Sequence, residues 1–225
     1  MDNAFVLDFL RRLAANNTTA WMQAHRDDYL RARDAFADLV TEVLRRAAPV
    51  APELAGLTPA QAMFRLHKND RSQTEPEPYK RRLGAGLVPG GRHAERAGYF
   101  LALMPGGGSW LRAGRFTPTP AELVAIRQEI HYSPDEFHRR LADPELRRYF
   151  PLGLDMDAAQ LTRPPRGYAA TDPDIAFIKL KSFGLNSYFS DAEVLAPGFL
   201  DEVLARIAAA RPWVTFLNEA LGGNG

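Results

Sequence analysis

The sequence predicts an α+β fold, in which a largely antiparallel sheet from residues 63–116, with a further strand near 182–189, is covered by N- and C-terminal helices. Three observations carry this. Apolar residues fall at helical spacing through the first 48 residues and again after residue 119. Between them lie short runs bounded by glycine, proline or charge. One pair of those runs is joined by Pro105-Gly106-Gly107-Gly108, a hairpin connection that makes its strands antiparallel. Helices, then strands, then helices, with no linker to divide them, reads as one domain over residues 1–225.

Phe5, Phe9, Leu10 and Leu13 share one helical face, and Asn16-Asn17-Thr18 interrupts it with capping chemistry. Met22, Tyr29, Phe36 and Val43 recur every seven residues, predicting one amphipathic helix over 21–48 or two with a break near Leu30. Too few clean heptads follow for a coiled coil. Thr58-Pro59-Ala60-Gln61, Thr119-Pro120-Ala121-Glu122 and Ser133-Pro134-Asp135-Glu136 repeat one helix-start pattern, and Ser190-Asp191-Ala192-Glu193 is a further capping box. Strands are expected at 63–68, 82–88, 98–104, 109–116 and 182–189, a helix at 175–180, and a surface connection over 151–173. The final helix starts near Gly198, with Pro212 expected to kink or restart it.

Composition limits function more than it defines it. A net charge of +1 over 225 residues argues for no partner class, and the absence of cysteine removes disulfides and thiolate chemistry. No apolar run has membrane-spanning length, and acids precede the basic pair Arg11-Arg12, the reverse of a signal peptide; the expectation is a cytoplasmic protein that does not engage a membrane. His25, His67, His93, His131 and His138 show no paired-ligand spacing, and Asp155-x-Asp157 lacks a third ligand, so neither metal nor cofactor is expected. Gly106-Gly107-Gly108 lacks the Lys-Ser/Thr and helix of a phosphate loop.

Charge is nevertheless concentrated. From Arg65 to Arg96 there are eight Lys or Arg against four Asp or Glu, leaving the rest of the chain net acidic. On a strand Arg65, His67 and Asn69 would share one face, with Phe64, Leu66 and Lys68 on the other. Arginine forks suit phosphate or carboxylate, and Tyr79 beside Lys80 suits a nucleotide or sugar phosphate. Arg65, Asn69, Arg71, Tyr79, Lys80 and Lys181 are therefore the candidate ligand-binding residues, for an anionic small molecule or nucleic acid. The plain alternative is a solvated face whose cations pair with Asp70, Glu75 and Glu77. Two further readings stay open: an enzyme of undefined class with Asp70 or Tyr79 as acid–base group and Lys181 as partner, and a protein–protein interaction module. Trp21, Trp110 and Trp213 read as core or core rim, although Trp110 is followed by Arg112 and Arg115, an interleaving that single-stranded nucleic acid can use.

Several groups of residues resemble one family over about Phe9 to Leu221. They are Asn16-Asn17 with Trp21, His25-Arg26 and Tyr29; Phe64-Arg65, Asp70-Arg71 and Pro78-Tyr79-Lys80; Gly98-Tyr99-Phe100 and Pro105-Gly106 with Gly114 and Pro118; Arg163, Pro165-Arg166-Gly167-Tyr168 and Leu180-Lys181-Ser182-Phe183; and Arg211-Pro212 with Phe216-Leu217-Asn218. The family is the widespread, mostly bacterial domain of unknown function numbered twenty-four sixty-one. The resemblance implies a single α+β domain and assigns no activity, cofactor or partner. At its centre the chain departs from the family's usual pattern, with Asn69 for an acid, Ser72 for an aromatic, Gln73 for a serine, Pro76 for a lysine and Glu77 for a threonine.

Overall fold

The computed structural model describes residues 1–68 and 77–222. Among these, α1 (Asn3–Ala15), α2 (Thr19–Ala24) and α3 (Arg26–Ala47) come first, followed by a 3-10 turn at Pro52–Leu54 and α4 (Pro59–Ala62). The strands are β1 (Leu83–Leu87), β2 (Gly98–Leu103), β3 (Ser109–Arg115) and, after α5 (Pro120–Tyr132), α6 (Pro134–Ala142), α7 (Pro144–Tyr149) and α8 (Ile175–Ile178), β4 (Phe183–Phe189). Short α9 (Asp191–Leu195) and long α10 (Phe199–Ala220) complete the chain. The sheet has the order β1-β2-β3-β4 and every pairing is antiparallel, as the α+β expectation requires.

Strand alternation divides the sheet into two unlike faces. Leu83, Ala85, Leu87, Tyr99, Leu101, Leu103, Leu111, Ala113, Phe183, Leu185 and Phe189 are buried on the inner face. Helices α3 and α10 pack on that side, α10 through Phe199, Val203, Ile207, Trp213, Phe216 and Leu217. One cluster of buried side chains draws on every helix and strand.

The capping boxes at Thr58, Thr119 and Ser190 all form. At Ser133 the helix does begin with Pro134, but without a side-chain cap, because Ser133 also closes α5 through its N–H to Glu129 and lacks the extended backbone a cap needs. The break in the first amphipathic stretch falls at His25 rather than near Leu30. Helix α10 runs unbroken through Pro212, held by buried Trp213 and Phe216 against Phe137 despite the missing N–H.

The expected strand at 63–68 is replaced by isolated bridges, Met63 to Ala85 and His67 to Tyr79. Its partner strand bends at Arg81 and Arg82, so the ladder is split between Gly84 and the Pro78–Lys80 arm. Phe64 consequently lies over Gly84 and Gly86 on the outer face, while Leu66 is buried.

Candidate functional site

The outer face of the sheet has two ends. Toward Gly86, Gly114 and Gly184 the chain fills it with its own rings: Phe100 and Phe116 meet edge to face at 5.3 Å, and Phe64 and Phe100 converge over Gly86. The glycines are what admit these rings, since a Cβ on Gly184 would stand 2.1 Å from Phe116 Cε1. Toward Gly84, Ala102 and Trp110 the face is cationic. The registers Gly84 to Ala102 and Ala102 to Trp110 bring β1 beside β3 across a single small residue. Arg82, two residues before Gly84, thereby reaches Trp110, with its Cζ 5.8 Å from the ring centre, and Arg112 Cζ lies 4.4 Å from the same ring.

Lys80 completes the group. Its ammonium donates to the Arg65 carbonyl at 2.8 Å and lies 5.9 Å from the Phe64 ring centre. Phe64, Arg65, Lys80, Arg82 and Gly84 line a hollow of about 210 Å³. Desolvation, then the neighbouring Arg82, lowers the Lys80 pKa; desolvation, then Arg112, lowers that of Arg82. Each cation thus feels the next, and among the described residues no carboxylate lies at ion-pair distance from Lys80, Arg82 or Arg112. Arg112 Nε is buried without a hydrogen-bond partner, as is Oδ1 of its cross-strand neighbour Asn186.

Other cations in the basic stretch are engaged locally, as the plain alternative anticipated. Arg81 and Lys68 pair with Glu77, whose pKa is lowered mainly by the Arg81 bond. Arg92 donates to the carbonyls of Ala60 and Gln61 at the end of α4. Outside that stretch, Arg115 forms a two-pronged bond with the buried carboxylate of Glu122.

Of the six candidate residues, Arg65 and Lys80 share the hollow. Asn69 and Arg71, with Asp70, lie outside the described residues. Tyr79 does not line the hollow. Its backbone N–H and C=O are both bonded by the Asn17 side chain, at 3.1 and 2.9 Å, and its ring stands edge-on to His67. Lys181 is not brought to the hollow. It precedes Phe183, which pairs with Arg115, whereas Leu83 follows Arg82 at the end of the sheet where Ser109 meets Phe189; the two occupy opposite corners.

Sequence reasoning left Arg82 out of the candidates and read Trp110 as core or core rim, noting only that Arg112 and Arg115 follow it. Alternation was the usable signal: Arg82, Gly84 and Gly86 share a face, as do Trp110 and Arg112, and the short Gly-rich loop fixes how the hairpin registers. Gly106 and Gly107 do cradle an anion, but it is the chain's own Asp191, whose carboxylate accepts both N–H groups at 3.0 Å. Among the described residues no group of three His, Asp or Glu stands together as metal ligands, and no helix is long and apolar enough to cross a membrane.

No curated protein and no solved structure matches the chain. The model of the conserved hypothetical protein family DUF2461 matches residues 5–216, nearly the whole length, and the chain belongs to that family.

Proposed function

We propose that this protein binds a phosphate-bearing ligand on the outer face of its sheet, with the phosphate in the hollow beside Arg65, Lys80 and Arg82 and the remainder along Trp110 and Arg112. One observation carries the reading: Lys80 and Arg82 line one hollow, Arg82 and Arg112 lie against the same indole ring, and none of the three has a carboxylate partner among the described residues. Folding gains nothing from gathering like charges, so a cluster of this kind is best explained by an anion that it receives. Arg112 supports it further with a buried Nε that has no acceptor.

The size of the hollow, about 210 Å³, suits a phosphate group and not a whole nucleotide. A nucleotide or oligonucleotide would therefore extend over the half-exposed Trp110. Isothermal titration with inorganic phosphate, ribose 5-phosphate, AMP and a short single-stranded oligonucleotide distinguishes these sources. At least one is expected to bind at 0.15 M salt, and Arg82→Gln with Arg112→Gln should weaken it by about 10- to 100-fold, the loss of one or two charge-assisted hydrogen bonds. Binding that the double variant leaves unchanged, or no binding by any of the four, would overturn the reading.

A further inference from the structure

A separate pocket lies along one face of α5. Val124, Arg127, Gln128 and His131 follow the i, i+3, i+4, i+7 spacing of one helical face, and with Tyr132 they form one wall of a pocket of about 380 Å³. The opposite wall is the turn Pro165–Tyr168, closed by the Tyr168 N–H to the Pro165 carbonyl and containing Arg166. This is small-molecule size.

Arg127 is the unusual member. Its residue exposure is 7 %, yet among the described residues its guanidinium has no carboxylate partner. Nε donates to the Ile178 carbonyl at 2.7 Å and Nη2 to that of Leu180 at 3.1 Å, so two nitrogens are turned toward the end of α8. Nη1 makes no bond to any described residue. The guanidinium is thus largely buried and bonded only to neutral carbonyls, with Nη1 left at the pocket where an anion would meet its charge. Arg166, exposed on the facing turn, adds a second guanidinium to the same pocket.

The remaining walls specify more than charge. His131 Nδ1 donates to the Asp172 carboxylate at 2.9 Å, which fixes the ring and leaves Nε2 for another partner. Tyr168 stands edge-on to the His131 ring at 5.5 Å, and Val124 and Tyr132 are largely exposed, at 53 % and 77 %. A ligand filling this space meets two guanidinium groups with aromatic and aliphatic surface beside them.

We infer that the pocket between α5 and the 165–168 turn binds a small organic acid, its carboxylate between Arg127 and Arg166 and its apolar body against Tyr132, Tyr168 and Val124. The site is separate from the sheet face and does not depend on the reading of that face.

Benzoate and butyrate are suitable probes, with benzamide as the neutral isostere of benzoate and inorganic phosphate as an anion lacking the apolar body. Thermal unfolding of the full chain should show benzoate at tenfold its Kd raising Tm by about 3–6 °C. Benzamide should leave Tm unchanged. Arg166→Gln, at an exposed turn, should abolish the shift, whereas Arg82→Gln should keep it. The His131 imidazole proton resonances should move on titration with benzoate and stay in place in Arg166→Gln. No shift with either carboxylate would leave Arg127 as a cap for the α8 carbonyls and overturn the site. Equal effects of benzamide and benzoate, a response to phosphate alone, or a benzoate effect removed by Arg82→Gln rather than Arg166→Gln, would each overturn it as well.

Discussion

Replacing Arg82 by glutamine should make the free protein less sensitive to salt, because it removes one member of a cluster of like charges that has no carboxylate partner among the described residues. The Cζ atoms of Arg82 and Arg112 lie 5.8 and 4.4 Å from the centre of one indole ring, so they are at most about 10 Å apart. Two unit charges at that distance repel by about 0.4 kcal/mol in water and about 1.7 kcal/mol at the effective dielectric of a protein surface. With both groups reaching solvent, a value of about 0.5–1 kcal/mol is reasonable. The Debye length is about 30 Å at 0.01 M salt and about 3 Å at 1 M, so most of the repulsion is felt in the first condition and almost none in the second. Urea unfolding at both salt concentrations should therefore give a stability difference between Arg82→Gln and the parent that moves by about 0.5–1 kcal/mol, favouring the variant at low salt. The cation–π contact with Trp110, which the variant also loses, shifts both conditions alike and leaves this difference intact. Arg81→Gln is the control of opposite sign, because Arg81 is bonded to Glu77 and salt weakens that attraction. A difference for Arg82→Gln that is the same at both salts to within about 0.2 kcal/mol would refute the claim that these cations repel one another.

Two further predictions follow from backbone and carboxylate chemistry. Gly114→Ala should lower stability by more than about 3 kcal/mol, or about 6–12 °C in Tm, because Gly114 has φ +132° and a Cβ there would sit 2.0 Å from the Phe183 carbonyl oxygen. Gly106→Ala is the comparison: φ is also positive, at +78°, but nothing lies within 4 Å, so thermal unfolding should show only the smaller conformational cost of about 1–2 kcal/mol. On acidification, Glu122 should be one of the groups that release the fold. Burial raises its pKa, but the bonds from Arg115 and Thr119 outweigh this and hold it below the usual 4.5. A depressed folded-state pKa means stability that is present above about 4.5 and lost as pH falls through the folded value. Glu122→Gln should accordingly flatten the fall in urea-unfolding stability below pH 4.5; an unchanged slope would show that the pair contributes nothing to acid sensitivity.

Helix starts were legible because they are written in local chemistry. A threonine or serine oxygen, a proline at the first helical position and a glutamate or glutamine two residues beyond it satisfy donors within one turn, so no distant contact is needed to read them. Strands β1 to β4 were legible to within a residue or so for a similar reason, since glycine, proline and charge bound each of them. The 63–68 segment was misread because its hydrogen bonding depends on a partner that bends at Arg81 and Arg82, information that alternation within 63–68 does not contain. The cation cluster was partly legible. Charge density pointed to the stretch that supplies Lys80 and Arg82, but neighbouring cations on one chain segment go to different places: Arg81 to Glu77, Arg92 to helix carbonyls, Lys80 and Arg82 to the sheet face. Arg112 joins them only through strand register, and the Asn17 clamp on Tyr79 spans 62 residues.

The two ends of the outer face explain each other. Phe64, Phe100 and Phe116 fill one end, set close to the sheet by Gly86 and Gly184, and the segment carrying Phe64 and Arg65 is held there by the Phe64 N–H to the Gly84 carbonyl and by isolated bridges rather than by a continuous ladder. Lys80 then spans back to the Arg65 carbonyl, so the aromatic end fixes where the cationic end begins. A ligand group arriving at the hollow would meet Lys80 already held by the Arg65 carbonyl and Arg82 already resting near Trp110, which lowers the ordering cost of binding. The same arrangement accounts for how like charges are tolerated in the free protein: two of them rest against the indole ring and the third donates to a carbonyl, so each has partial compensation without a carboxylate that would compete with an incoming anion.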